Sequence, residues 1–103
     1  MQHARIAVYT VSPGKSDEVI EKAQQGMLPI FQGQPGFVGY GLVKTDQEHV
    51  IVSLSFWETE EEAESAVALA ADWVRDNIAQ LITLQANHVG DLSFFSAEEP
   101  VGA

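Results

Sequence analysis

Between Phe37 and Asn77 the spacing of apolar residues changes from a strand period to a helix period. Val38, Tyr40 and Leu42 alternate with Phe37, Gly39, Gly41 and Val43, a period of two that predicts a strand. Its two inner glycines mark either a bulge or room for a neighbouring group. Thr45-Asp46-Gln47-Glu48 is polar and closes a hairpin. A further strand runs from about His49 to Trp57, with Val50, Val52, Leu54 and Phe56 on one face and Ile51, Ser53, Ser55 and Trp57 on the other. Thr59-Glu60-Glu61-Glu62 then has the form of a capping box, in which the Thr59 hydroxyl accepts from the Glu62 amide and the Glu62 carboxylate reaches back. The helix it opens continues on the stripe Ala63, Ala66, Val67, Ala70 and Val74 and ends near Asn77 to Gln80. Small residues on that stripe allow the helix to lie close to a sheet.

The flanking segments add the same kinds of element. Arg5 to Val11 is β-branched and aromatic and reads as a strand stopped by Ser12-Pro13-Gly14. From Ser16 an acidic first turn leads into Val19, Ile20, Ala23, Met27 and Ile30 or Phe31 at helical spacing, with a kink or an early end expected near Pro29. From Leu81 the pattern fits a short helical turn, and Gln85 to Phe95 reads as a last strand interrupted by Gly90-Asp91. Ser96 to Ala103 reads as a loose tail, so residues 1–103 form a single domain with a core from about 5 to 95. The order β-α-β-β-α-β predicts an α+β, ferredoxin-like antiparallel sheet with both helices on one face. The other face, carrying Val52, Leu54 and Phe56, would be left uncovered, which points to a homodimer.

Composition works mainly by exclusion. The chain has no cysteine, so thiol chemistry and disulfides are ruled out. A formal charge of −10 repels phosphate backbones and anionic lipid, so neither nucleic acid nor a membrane is an expected partner. No apolar run is long enough to span a bilayer and no leader pattern opens the chain, so the cytoplasm is the expected location. His3, His49 and His88 lack metal-ligand spacing, and no metal is expected.

Pro35-Gly36-Phe37, the hairpin, Ser55-Phe56-Trp57-Glu58 and the acidic, alanine-rich helix together resemble the antibiotic biosynthesis monooxygenase superfamily of dimeric α/β barrels, over roughly Arg5 to Phe95. The resemblance implies a barrel shared by two copies. It also implies one of several activities: cofactor-independent oxygenation of anthrone or quinol rings, or haem degradation. In the anthrone-oxidising branch an Asn four residues before the strand-end Trp and a Tyr six residues after it accompany the chemistry; here Trp57 is kept, but Ser53 and Ala63 stand at those positions. The haem-degrading pattern is further off, with no Asn on the first strand, Ala66 near the place of a helical Trp, and no His between Asp72 and Gln80. The function expected is a monooxygenase that uses no cofactor and acts on a quinol or anthrone-like aromatic. The alternatives are a non-catalytic dimeric module, small-molecule-binding or stress-associated, and a purely structural protein, distinguished by having no internal cavity large enough for a ring.

The site is expected between the second helix and the Ser53-Ser55-Trp57 face. Trp57 reads first as a core anchor and second as an apolar wall with an N–H for a ligand. Ser53 and Ser55 would orient a ring oxygen, or bond to backbone or water. Tyr9 and Tyr40 add phenols, and Trp73, with Arg75 and Asn77, forms a rim. His88 and Tyr40 are the candidate proton acceptors.

Overall fold

A computed structural model describes residues 2–96. Strands β1 (His3–Val11), β2 (Phe37–Lys44), β3 (Val50–Trp57) and β4 (Ile82–Asp91) form one antiparallel sheet in the order β2-β3-β1-β4. The helices are α1 (Ser16–Lys22), a π-helical turn (Ala23–Met27), α2 (Leu28–Gln32) and α3 (Glu60–Asn77). This is the expected α+β, ferredoxin-like arrangement. β3 alternates as expected, with Ile51, Ser53, Ser55 and Trp57 buried toward the helices. No helix among the described residues is long and apolar enough to cross a membrane.

Two bulges explain where the sequence pattern misleads. In β2, Phe37 pairs with Trp57 while Gly39 pairs with Phe56, so Val38 is the extra residue. Phe37, rather than Val38, therefore shares the helix-side face with Tyr40 and Leu42, and Val38 is exposed. In β4 the register slips between Val8/Ala86 and Tyr9/Leu84, leaving Gln85 over. That slip inverts the alternation partway along the strand and hides its beginning at Ile82, three residues before the expected start. The helical turn expected from Leu81 comes earlier, closed by Leu81 N–H donating to the Ile78 carbonyl at 2.9 Å. β4 ends at Asp91, and Phe94 and Phe95 lie outside it, exposed. Of the expected tail, everything after Ser96 lies outside the described residues.

The first helical arm neither stops nor breaks at Pro29. The preceding turn widens to π geometry, with Leu28 N–H donating to the Ala23 carbonyl, and Pro29 falls in the first turn of α2, where its missing N–H matters least. The same wide turn brings Gly26 under the indole of Trp73: a Cβ built there would meet the ring at 2.8 Å. Gly26→Ala gains about 1 kcal/mol of helix propensity but overpacks the contact at about 1–3 kcal/mol. The expected result is net destabilisation with a shift in tryptophan emission; a more stable variant with unchanged emission would contradict it.

At the start of α3, Glu62 N–H donates to the Thr59 hydroxyl at 3.2 Å, as the capping box requires. The Glu62 carboxylate accepts from that same hydroxyl at 3.0 Å instead of from the Thr59 backbone amide. It lies against Gly36, whose φ of 76° and lack of a Cβ make room for it. Gly36 carbonyl also accepts from Glu58 N–H at 2.9 Å, so the Pro35-Gly36-Phe37 segment ties the β2 entrance to the helix cap.

Side chains between sheet and helices form two buried groups. One gathers Ala7, Tyr9, Val11, Val19, Ile51, Ile78 and Ile82. The other gathers Phe31, Trp57, Met27 and the small residues Ala23, Ala63, Ala66 and Ala70. Trp73 and Leu42 pack against both. The opposite sheet face carries Ile6 and Val43, each more than a third exposed, and a tilted Phe56–Phe95 pair at 6.3 Å.

Candidate functional site

Where the two buried groups meet, the core does not close. A narrow cavity of about 30 Å³ lies there, walled by Val19, Ala23, Met27, Phe31, Trp73 and Ile78, with Arg5, Tyr9, Tyr40 and Ser53 as its polar members. A shallow depression of about 220 Å³ formed by Ile20, Gln24, Leu28 and Gly41 at the β2 edge shares Tyr40 and Leu42 with it.

Arg5 is the unexpected member. It sits on β1 in phase with Ala7, Tyr9 and Val11, the positions that face the helices, and is 2% exposed. Its Nε donates to Asn87 Oδ1 at 2.8 Å and its Nη2 donates to the Tyr9 hydroxyl at 3.3 Å. Both acceptors are neutral. Among the described residues no carboxylate pairs with it, whereas Arg75 is paired with Asp72 and Asp76 on the surface. The signal was available in the sequence: a permanently charged residue in the inward phase of an otherwise apolar strand. Reading Arg5 as the first residue of that strand placed it at an edge and concealed it. Asn87 shares this helix-side phase through its register with Ala7.

Burial pushes the Tyr40 phenol up to about 12, with Tyr9 adding to the rise and the Ser53 hydroxyl and Arg5 charge pulling the other way. Tyr40 therefore keeps its proton at neutral pH, which argues against its expected role as proton acceptor. Because its folded value exceeds the ordinary one of about 10, the stabilisation from holding it neutral is complete below pH ~10 and is lost as pH rises toward 12. In Tyr9→Phe, where Tyr40 is the remaining tyrosine, tyrosinate absorbance is expected to rise with a midpoint well above 10, since burial, the leading cause, is unchanged. A midpoint at about 10 in the folded protein would show that the phenol is solvated.

The other expected residues separate. Tyr9, Tyr40, Ser53 and Trp73 line the cavity. Ser55 and Trp57 do not: the Trp57 indole N–H donates to Ser55 Oγ at 2.9 Å, and Phe31 stands edge-on to both Trp57 (5.3 Å) and Tyr40 (5.0 Å), between that pair and the cavity. Their polar groups are satisfied by each other. His88 pairs in register with Ile6, whose side chain faces away from the helices, so the imidazole lies exposed on the opposite sheet face and cannot act in this cavity. Of the expected rim beyond Trp73, Arg75 holds Asp76 at 3.0 Å and Asn77 Nδ2 donates to the Trp73 carbonyl at 2.8 Å.

The comparisons with known proteins agree on the fold. The chain superposes on the cofactor-independent oxygenase SnoaB from Streptomyces nogalater with a TM-score of 0.65 and 18% identity, over 99% of this chain and 98% of that one. A putative antibiotic biosynthesis monooxygenase from Chloroflexus aurantiacus gives 0.66 and 18% over 99% and 100% of the two chains. Another from Bordetella bronchiseptica gives 0.71 and 19% over 90% and 98%. Identities this low speak to fold alone. The sequence has no match among curated proteins. The family profile described as antibiotic biosynthesis monooxygenase matches residues 3–71, from the first strand through the capping box into α3, and on that match the chain belongs to the antibiotic biosynthesis monooxygenase family.

Proposed function

We propose that this protein is a cofactor-independent monooxygenase acting on a quinol or anthrone-like aromatic whose ring lies in the depression at the β2 edge and whose reacting oxygen reaches into the cavity. The observation that carries it is the cavity's composition: a guanidinium, two phenols and a hydroxyl among otherwise apolar walls. Some members of the family are monooxygenases of this kind. A hydroquinone plus O2 balances to a hydroxyquinone plus water, and an anthrone-type CH2 plus O2 balances to C=O plus water. In both, the substrate supplies all the electrons, one oxygen atom enters the ring system and the other leaves as water. The protein's part is to desolvate the substrate and favour its oxyanion, from which an electron passes to O2. Arg5 stabilises that anion, Tyr40 donates to it, and Ser53 orients the ring oxygen. The proton leaves toward solvent at the β2 edge, since Tyr40 is already protonated.

The test is oxygen uptake by purified, metal-free protein with a panel of quinols. Uptake above the spontaneous rate is expected, falling about tenfold or more in Ser53→Ala and Tyr40→Phe. No uptake above that rate, or equal uptake in both variants, would overturn the assignment. A second reading, binding without turnover, draws support from the two expected bases, one protonated and the other on the far face. It predicts that ligand is recovered unchanged after long aerobic incubation.

The same proposal includes assembly. Family members are typically dimeric. The face bearing Ile6, Val43, Val52, Leu54 and Phe56 is the apolar surface a second copy would cover, giving a homodimeric barrel.

A further inference from the structure

We propose that the cavity is an anion site, and that its ligand is an aromatic molecule carrying a carboxylate that Arg5 holds. This rests on reading the cavity as the substrate site and narrows the substrate class. An arginine guanidinium carries a fixed positive charge in proteins, and Arg5 brings one into the core. Burying such a charge without a counter-ion is strongly unfavourable, and buried charges in folded proteins are paired. Here the partners are an amide oxygen and a phenol, at 2.8 and 3.3 Å, and no carboxylate among the described residues accompanies them. These two acceptors use fewer N–H groups than a guanidinium carries, and they fix the orientation of its plane. The side chain borders the cavity, where an entering anion would neutralise it.

The surroundings select a carboxylate in particular. A planar guanidinium matches a carboxylate through paired hydrogen bonds, and the protonated phenol of Tyr40 and the hydroxyl of Ser53 are donors on the same cavity. Beyond them Val19, Ala23, Met27, Phe31 and Trp73 offer no further charge; the cavity of about 30 Å³ takes the carboxylate, and the ring lies in the depression of about 220 Å³ bordered by Ile20, Leu28 and Leu42, which shares Tyr40 with it. A ring with one acidic group at one end satisfies both halves. The protein's net charge of −10 gives no general attraction for anions, so any preference for one must come from this local charge.

The experiment compares benzoate with benzamide by calorimetry and thermal shift, without oxygen, on the full chain. Benzoate is expected to bind and stabilise, with benzamide about tenfold to a hundredfold weaker, the margin of a charge-assisted hydrogen bond. In Arg5→Met the preference should vanish. Arg5→Lys, which keeps the charge without the planar fork, should retain part of it and provides the answer if the methionine variant fails to fold. Equal affinity for the two probes, binding of neither, or a preference that survives in Arg5→Met overturns the proposal. A hydroquinone bearing a ring carboxylate that binds but consumes no oxygen would end the oxygenase reading and leave the anion site standing. Uptake with a neutral hydroquinone and no preference for benzoate would do the reverse.

Discussion

Leu54→Asp is expected to abolish the dimer and leave a chain that unfolds at a much lower temperature than the parent. Leu54 lies at the centre of the sheet, opposite Ile6 on β1 and Gly41 on β2, on the face away from the helices. Gly41 offers no side chain to shelter it, and Ile6 is itself 40% exposed. In the proposed assembly a second copy covers this patch, so a carboxylate at 54 is either buried without a partner, which costs several kcal/mol, or keeps the copies apart. The two-fold relation doubles the effect, since a self-complementary interface carries the substitution on both sides. Light scattering at micromolar concentration should give twice the chain mass for the parent and for Leu54→Met, which preserves volume and polarity, and one chain mass for Leu54→Asp. A monomeric parent at that concentration, or a dimeric Leu54→Asp, would refute the assembly.

The same residue shows how much was legible in the sequence. Alternation through β3 is uninterrupted, so Leu54 and its neighbours could be assigned to a face from period alone, and with them the sheet, the element order and the helix cap. Where the backbone departs from regular geometry the pattern failed. Val38 and Gln85 are bulge residues, and each inverts the inward and outward phase between the two halves of its strand. The π turn before Pro29 absorbs a residue that a regular helix would reject. The candidate site was harder still, because a cavity depends on which side chains fail to fill space. Ser53 and Ser55 are equivalent by period, yet only Ser53 borders the opening, while Ser55 is taken up by Trp57. Arg5 was legible in principle, since a charge in the inward phase of a strand calls for a partner, and the nearest carboxylates in sequence, at 17 and 18, belong to an exposed helix start.

Trp57 is expected to carry stability and not chemistry. Its indole is 1% exposed, packs edge-on against Phe31 and Phe37 at 5.3 and 5.6 Å, and gives its one N–H to Ser55. Truncation to alanine removes one of the largest side chains of the core and should cost about 3–5 kcal/mol. Against a total of about 5–15 kcal/mol for a folded domain, that is enough to unfold much of the population near physiological temperature. Lost oxygen uptake in Trp57→Ala would therefore say nothing about the site, and the informative variant is Trp57→Phe. It keeps the ring contact with Phe31, loses volume and leaves the buried Ser55 hydroxyl without its donor, for about 1–3 kcal/mol. Denaturant melts should show that loss. Below the melting transition, kcat and KM for any accepted quinol should match the parent within about twofold, because Phe31 separates position 57 from the cavity. Ser53→Ala should show the opposite pattern, a small change in stability and a large change in kcat/KM. If instead Trp57→Phe lowered kcat tenfold while remaining folded, the indole would have to reach the substrate, and the cavity that turns over would be a different one from that bordered by Arg5.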